Sequence, residues 1–396
     1  MRVLFVCHRF PFPPKRGGKI RPFNIISHLT RSGHEVTVCS LARDEEEAKA
    51  GAGLKEHCHD YRVSVTGKVL PMLRMVLRLP TPVPASMGYF FTRELKNNID
   101  ELLASEKFDL IFVHCSSVAQ FVSHVTDTPK ILDFGDMDSQ KWQIYSSFKP
   151  FPLSVGYLYE GVRLEREEKR LAKRFDLSTC TTKAELDTLD SYQAANSTGW
   201  FPNGVDASFF KPLDITPEED AIGFVGRMDY YPNQLAMYDF CADVLPLIKA
   251  KKPGVKLYII GAEPIPKVVA LGDIEGVTVT GTVDDIRAYV QNCQLTVAPL
   301  EIARGTQNKI LESMAQEVPV VCSAQAAGGV DAVPSEHLLV ATSPQEYADQ
   351  ILKLLDDPQY RNQMAKASRE RVLSNHDWQQ SMLRLDKLIA TVVPGN

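Results

Sequence analysis

Pro299–Pro319 reads PLEIARGTQNKILESMAQEVP, and it gathers two cations, a glycine turn and one carboxylate around the start of a helix. Val297 and Ala298 close an apolar strand, Gly305 permits a tight exit, and Thr306 is the expected N-cap of a helix running through Met314. Unpaired amides and the positive dipole end at a helix start attract phosphate, and Arg304 and Lys309 add full charges beside them. Glu312 follows Lys309 by three residues, on the same helix face. Thr306 and Glu312 would stand about 9 Å apart at 1.5 Å per residue, the span from a diphosphate to its ribose hydroxyls. A carboxylate accepting two hydroxyl protons suits that end. The same residues also fit an amphipathic helix with surface charges.

Working outward, apolar strands and helical stretches alternate twice over. Val3–Cys7 is a continuous apolar run, as for a strand buried on both faces of a parallel sheet. A glycine-bearing loop and a helix from Gly18 to Thr30 follow, then strands at Glu35–Cys39, Tyr61–Val65, Leu110–Val113, Lys130–Asp133 and Leu177–Cys180. A charged helix is expected over Tyr157–Arg174. Asn203, Gly204 and Pro212 mark a turn-rich boundary. A second series of strands runs through Ala221–Val225, Lys256–Ile260, Val277–Thr280, Gln294–Ala298 and Val318–Cys322. This pattern predicts an α/β fold of two doubly wound domains, with ligands held beyond the carboxyl ends of the strands.

The length of 396 residues suits two domains of ordinary size, and 44% apolar with 23% charged residues is globular composition. A net charge of -5 gives no support to a nucleic-acid partner. Eight cysteines are scattered singly, several in apolar strand-like runs, with no CxxC pair or zinc spacing. They read as reduced core thiols of a cytoplasmic protein. The opening MRVLFVCHRF breaks at His8 and Arg9, too short for a signal peptide, and no run reaches the roughly 18 apolar residues of a membrane span.

The Pro299–Pro319 segment resembles the donor site of retaining glycosyltransferases of family 4, in which a helix Glu binds the nucleotide ribose; here that is Glu312. The usual signature has a second Glu eight positions earlier, where this chain has Arg304. Bacterial polysaccharide sugar transferases resemble this chain in reading ARGTQNK-like at that point. Four further segments match the family in order: RGGKIR at Arg16–Arg21, NGVDASFFKP at the hinge, GFVGRM at Gly223–Met228, and His376–Trp378 opening a last helix. The resemblance implies the GT-B fold, two Rossmann-like domains facing a central cleft. Residues 1–205 would form the acceptor-side domain, 206–376 the nucleotide-sugar domain, and a final helix within 377–396 would pack back on the first.

By the same resemblance Arg227 is the phosphate-binding Arg, its guanidinium fork matching a diphosphate. Family members commonly carry a Lys about five residues later; Pro232 and Asn233 stand here, and Lys309 is expected to supply the charge. Gly17 and Gly18 would let amides approach a phosphate or sugar, or simply serve a turn. Lys19, Arg21 and Asp138 are assigned to the acceptor side. Asp136 is expected to orient a sugar or acceptor hydroxyl, or to cap the helix beginning near Ser139. Asp136-Met137-Asp138 spells the DxD string of metal-dependent transferases, a match that arises often by chance. Many family members have a sugar-touching His at the end of this strand, where alignment puts Gly135.

Lys68–Leu79 mixes apolar residues with Lys68, Arg74 and Arg78. It reads either as a packed helix or loop or as a peripheral contact with the inner membrane face. The expected activity is transfer of a sugar from a UDP- or GDP-sugar to a glycan or polyprenyl-linked glycan, in exopolysaccharide synthesis, without metal or cofactor. Arg227 and Lys309 would stabilise the leaving diphosphate. A nucleotide-sugar 2-epimerase and a silent nucleotide-sugar-binding assembly partner are the alternatives.

Overall fold

The computed structural model describes residues 1–14, 17–67 and 69–393. Arg16 of the RGGKIR motif and Lys68 lie outside them. Contacts divide the chain into two units, Met1–Pro202 with Met382 onward, and Asn203–Ser381.

Seven parallel strands build the first unit: β1 (Arg2–Cys7), β2 (Glu35–Ala42), β3 (Asp60–Val65), β4 (Leu110–His114), β5 (Lys130–Gly135), β6 (Leu177–Cys180) and β7 (Thr198–Trp200). Their order is β3-β2-β1-β4-β5-β6-β7. The direction of winding therefore reverses between β1 and β4, the switch point at which such sheets hold ligands. Continuous apolar runs suit strands covered on both faces by helices, and β1 and β4 are buried almost end to end. Phe5 and Phe112, paired in register, stack with centroids 5.1 Å apart and lock the two strands together. The second half of the helix Trp378–Val392 packs on this unit. Asp386 bonds His28 Nε2 at 2.8 Å, and Gly199 leaves the space that Leu388 fills.

The second unit repeats the plan with β8 (Ala221–Val225), β9 (Lys256–Ile260), β10 (Val277–Gly281), β11 (Leu295–Ala298), β12 (Val320–Cys322) and β13 (Leu339–Val340), ordered β10-β9-β8-β11-β12-β13. Its switch point lies between β8 and β11. Ile222, Phe224, Leu257, Ile259, Leu295 and Val297 supply the centre of its core. At the edge of this unit His376 accepts from the Asp331 amide at 3.0 Å, and Trp378 stacks so tightly on Gly204 that a Cβ there would sit 2.6 Å from its ring. The edge strands β7 and β13 escape sequence patterning because three and two residues are too few to show a period. All eight cysteines are free and buried. Burial pushes thiols such as Cys7 and Cys322 up to about 12, which keeps them inert.

Candidate active site

In the second unit, β8 ends at Val225 and hands over to Gly226 and Arg227, while β11 ends at Ala298 and exits through a loop to the helix Asn308–Ala315. Gly305 takes φ +65°, a conformation that suits glycine. The helix starts one residue later than the sequence suggests: Gln307, not Thr306, holds the cap position, and no side chain caps it. The Gln307 amide instead bonds back to the Arg304 carbonyl at 3.1 Å. Thr306 is thus released from capping. Its Oγ1 and the Asn308 Oδ1 are buried with no hydrogen-bond partner among the described residues.

Lys309 projects from the first turn to the end of β8. Its Nζ donates to Asn233 Oδ1 at 2.7 Å and stands 4.3 Å from the centroid of the Phe224 ring. Asn233 in turn donates to the Arg227 carbonyl at 2.8 Å. A Cβ on Gly226 would lie 2.6 Å from the Asn233 amide and 3.0 Å from Lys309 Nζ, so the missing side chain is what admits the ammonium. The lysine therefore reaches the segment where Pro232 and Asn233 stand in place of a cation.

Burial pushes the Lys309 ammonium down to about 7 and the Glu312 carboxyl up to about 7, each opposed by attraction to the other. Among the described residues none hydrogen-bonds the Glu312 carboxylate. The Arg227 guanidinium is half in solvent and held by Asp229 at 2.9 Å and by Glu263. Hydrogen bonding to Asp229 raises its pKa further, so it is a permanent cation. Arg304 is half-buried on the same exit loop. The structure thus brings Arg227, Gly305, Thr306, Lys309 and Glu312 to one sheet edge.

The first unit treats its predicted residues differently. Gly17 and Gly18 open the helix Gly17–Arg31 and are exposed. Lys19 is buried in an ion pair with Glu47 at 2.7 Å. Arg21 is 2% exposed and grips Asp133 with two bonds of 2.8 Å. Both cations, expected on the acceptor side, are buried and paired with carboxylates of the first unit. Nor does Asp136 cap the helix that follows, which starts at Asp138 without a side-chain cap; Asp136 instead accepts from Thr181 Oγ1 at 2.9 Å. Asp138 sits half-buried in the first helical turn, and burial, opposed by Lys141, raises its pKa. Among the described residues no group of three His, Cys, Asp or Glu is placed to hold a metal, the DxD string included.

Sequence reasoning missed His114. It closes β4 beside the switch point, and Nδ1 bonds Asp133 Oδ2 at 2.7 Å. Thr179 Oγ1 adds a bond of 2.9 Å to the same carboxylate. Burial alone would raise the Asp133 pKa, but Arg21 and His114 outweigh it and hold the group well below the usual carboxylate range. Gly135 ends β5, where a histidine was sought, and His114 ends the neighbouring strand β4. His8, just past β1, packs its ring 5.7 Å from that of His114, and its Nδ1 lacks a partner among the described residues. The readable signal was a histidine ending an apolar run in LIFVH.

Comparison with known proteins bears on this geometry. Residues 16–209 match the domain described as Glycosyltransferase Family 4, and residues 219–357 match that described as Glycosyl transferases group 1. An uncharacterized 44.6 kDa protein in the cps region of Klebsiella pneumoniae is 20% identical over 368 residues, spanning 89% of this chain and 90% of its own. Sucrose-phosphate synthase from Thermosynechococcus elongatus superposes with a TM-score of 0.75 at 17% identity, covering 99% of both chains. Anabaena HepE in complex with UDP does so with a TM-score of 0.69 at 16% identity, covering 99% of this chain and 100% of its own. HepE has also been seen with UDP-glucose.

Proposed function

From the premise that the chain carries a glycosyltransferase family 4 domain followed by a group 1 glycosyl transferase domain in the GT-B fold, we propose that it transfers a sugar, with retention of anomeric configuration, from a nucleotide-diphosphate sugar to a glycan or lipid-linked glycan. One observation carries this reading: Lys309, Thr306 and Asn308 line an uncapped helix start at the β8/β11 switch point, and Glu312 stands one turn beyond with a carboxylate that takes no hydrogen bond among the described residues. A diphosphate entering there would meet the helix amides, the Thr306 hydroxyl and the Lys309 ammonium. Its two negative charges would raise the Lys309 pKa again, so binding would protonate the lysine it needs. Glu312, ionised, would accept the ribose hydroxyls.

Transfer breaks the bond between the anomeric carbon and the diphosphate oxygen. Lys309 and Arg227 would stabilise the charge gathering on the departing phosphate, a role for which a cation held before the reaction begins is worth most. The acceptor hydroxyl would attack from the face the diphosphate leaves, and its proton would pass to the leaving phosphate. His114, held in one orientation by Asp133, and Asp136 are the groups of the first unit assigned to orienting hydroxyls. No metal is required where the protein supplies the cations. The relative in a cps region favours a capsule or exopolysaccharide acceptor, and the HepE complexes favour a UDP-sugar.

Calorimetric titration with UDP, GDP, ADP and dTDP, without metal, tests the site in wild type and Glu312→Ala. The expected result is one nucleotide, UDP, bound tightly and weakened in the variant. Binding of none of them would overturn the assignment. Nuclear magnetic resonance of the anomeric proton in the product distinguishes retention from inversion.

A further inference from the structure

The helix Leu70–Arg78 is turned inside out. Its apolar side chains Met72, Leu73, Val76 and Leu77 are 52–65% exposed, and Val69 before them is 78% exposed. Its arginines point inward. Arg74 donates to the Phe91 carbonyl, and the Arg78 guanidinium lies 5.6 Å from the centroid of the Phe91 ring. A helix at a water-facing surface does the reverse, burying its apolar stripe and solvating its charges.

This orientation is built rather than loose. Gly88 admits the helix so closely that a Cβ there would stand 2.9 Å from Arg78 Cδ and 3.0 Å from the Arg74 carbonyl. Buried Arg163, from the helix Leu153–Ala172, donates to the carbonyls of Arg78 at 2.9 Å, Thr81 and Val83. Glu160, one turn before it, accepts from the amides of Ala85 and Ser86 at 3.0 and 2.8 Å. That same helix and the turn before it add Phe151, 83% exposed, with Leu153, Val155 and Leu158. Two elements clamped to each other thus present apolar side chains to solvent together.

Charge says what covers them. Residues 67–93 and 139–159 carry six basic residues and no acidic one, in a chain whose net charge is -5. A second copy seated on this face would set like charge against like. An anionic lipid surface complements this net positive charge, taking the apolar side chains into the acyl boundary. The helix Leu70–Arg78, with nine residues, lies far short of a span, and no described helix is long and apolar enough to cross a membrane. The helix Leu70–Arg78 follows the carboxyl end of β3, and the helix Leu153–Ala172 follows that of β5 through the helix Asp138–Phe148; His114 and Asp136 lie at the same edge of the sheet.

We propose that this face docks the protein on an anionic bilayer. The inference stands on the exposed surface itself; a lipid-linked acceptor would give the contact its purpose. Flotation of the full chain with phosphatidylcholine vesicles containing about one third phosphatidylglycerol, and with pure phosphatidylcholine, tests it. Wild type should float with the anionic vesicles and be released by high salt. Leu73→Glu/Leu77→Glu and, separately, Phe151→Ser/Leu153→Ser should each lower binding by about tenfold or more. Melting temperature and UDP affinity, measured without vesicles, should not change, so failure of the docking face and failure of the nucleotide site are read apart. Three results overturn the proposal: wild type left unbound, variants that float as well as wild type, or a dimer that the variants dissolve with no effect on flotation.

Discussion

Replacing Lys309 by Met should make the protein more stable and its nucleotide binding weaker. The folded chain lowers this lysine from its usual 10.5 to about 7, burial outweighing the attraction of Glu312. At 1.36 kcal/mol per pKa unit the shift corresponds to a ceiling of about 5 kcal/mol, of which about 4 kcal/mol applies at pH 7, where the folded lysine is half protonated. Partial access to water screens this cost, and the bond to Asn233 that the variant loses contributes about 1 kcal/mol. The net gain at pH 7 is about 2 kcal/mol, which for a unit of this size raises the melting temperature by about 4–8 °C.

The sign follows from the lowered pKa. Between pH 7 and 10.5 the unfolded lysine binds a proton that the folded one does not, so wild-type stability rises with pH across that window. The variant lacks this term, and the two melting curves should converge near its upper end. Loss of a cation bonded to phosphate should meanwhile cost about 2–3 kcal/mol of UDP binding, or roughly 30- to 150-fold in Kd. Thermal melts over a pH series and calorimetry with UDP read the two effects separately. A variant that melts at or below wild type at pH 7 and keeps its UDP affinity would refute the reasoning and make Lys309 a packing residue.

Arg227→Ala should leave the melting temperature within about 2 °C, because the side chain is half in solvent, yet lower the transfer rate about 10²- to 10³-fold in steady-state assays. Asp133→Asn should cost about 3–5 kcal/mol in denaturant unfolding, since it leaves Arg21 buried without its counter-charge. Glu168 is fully buried, bonded by Ser139 and Tyr192, and pushed by burial up to about 8. Its folded form therefore holds a proton that the unfolded form releases, so stability should fall as pH rises from 4.5 to 8. Glu168→Gln should flatten that slope in melts across the same range.

Most of the alternation was legible because strands buried on both faces are written as short apolar runs between breakers, and β1, β6, β8 and β9 fall within a residue of where the runs lie. What was hidden depended on who meets whom across the sheet. Nothing near Arg21 in sequence announces Asp133, 112 residues away, yet the parallel register sets them in contact and takes a predicted acceptor contact into the interior. The Thr306 cap failed for a related reason. Ser, Thr and Asn are favoured caps, but the Gln307 amide satisfies the exit-loop carbonyls instead and delays the helix to Asn308. The helix Leu70–Arg78 was readable as amphipathic, but which face turns outward is fixed by Gly88 and by Arg163, the latter 85 residues beyond Arg78.

The two switch points contrast in how their charges are satisfied. At the end of β4 and β5 the cation is answered from within: Arg21 and His114 meet Asp133, and Thr179 fills the remaining acceptor site. A closed network of that kind rigidifies and positions, and it has little to offer an anionic ligand. At the end of β8 and β11 the account is left open. Lys309 has one neutral partner, Glu312 takes no hydrogen bond among the described residues, and Thr306 and Asn308 keep buried oxygens unmatched. Buried polar groups left so are costly unless something arrives to meet them. A diphosphate joined to a ribose brings acceptors for the ammonium and hydroxyl and donors for the carboxylate, in that order along the helix. On the proposed reading the nucleotide would bind at the second sheet, where these groups await partners, and not at the closed network of the first.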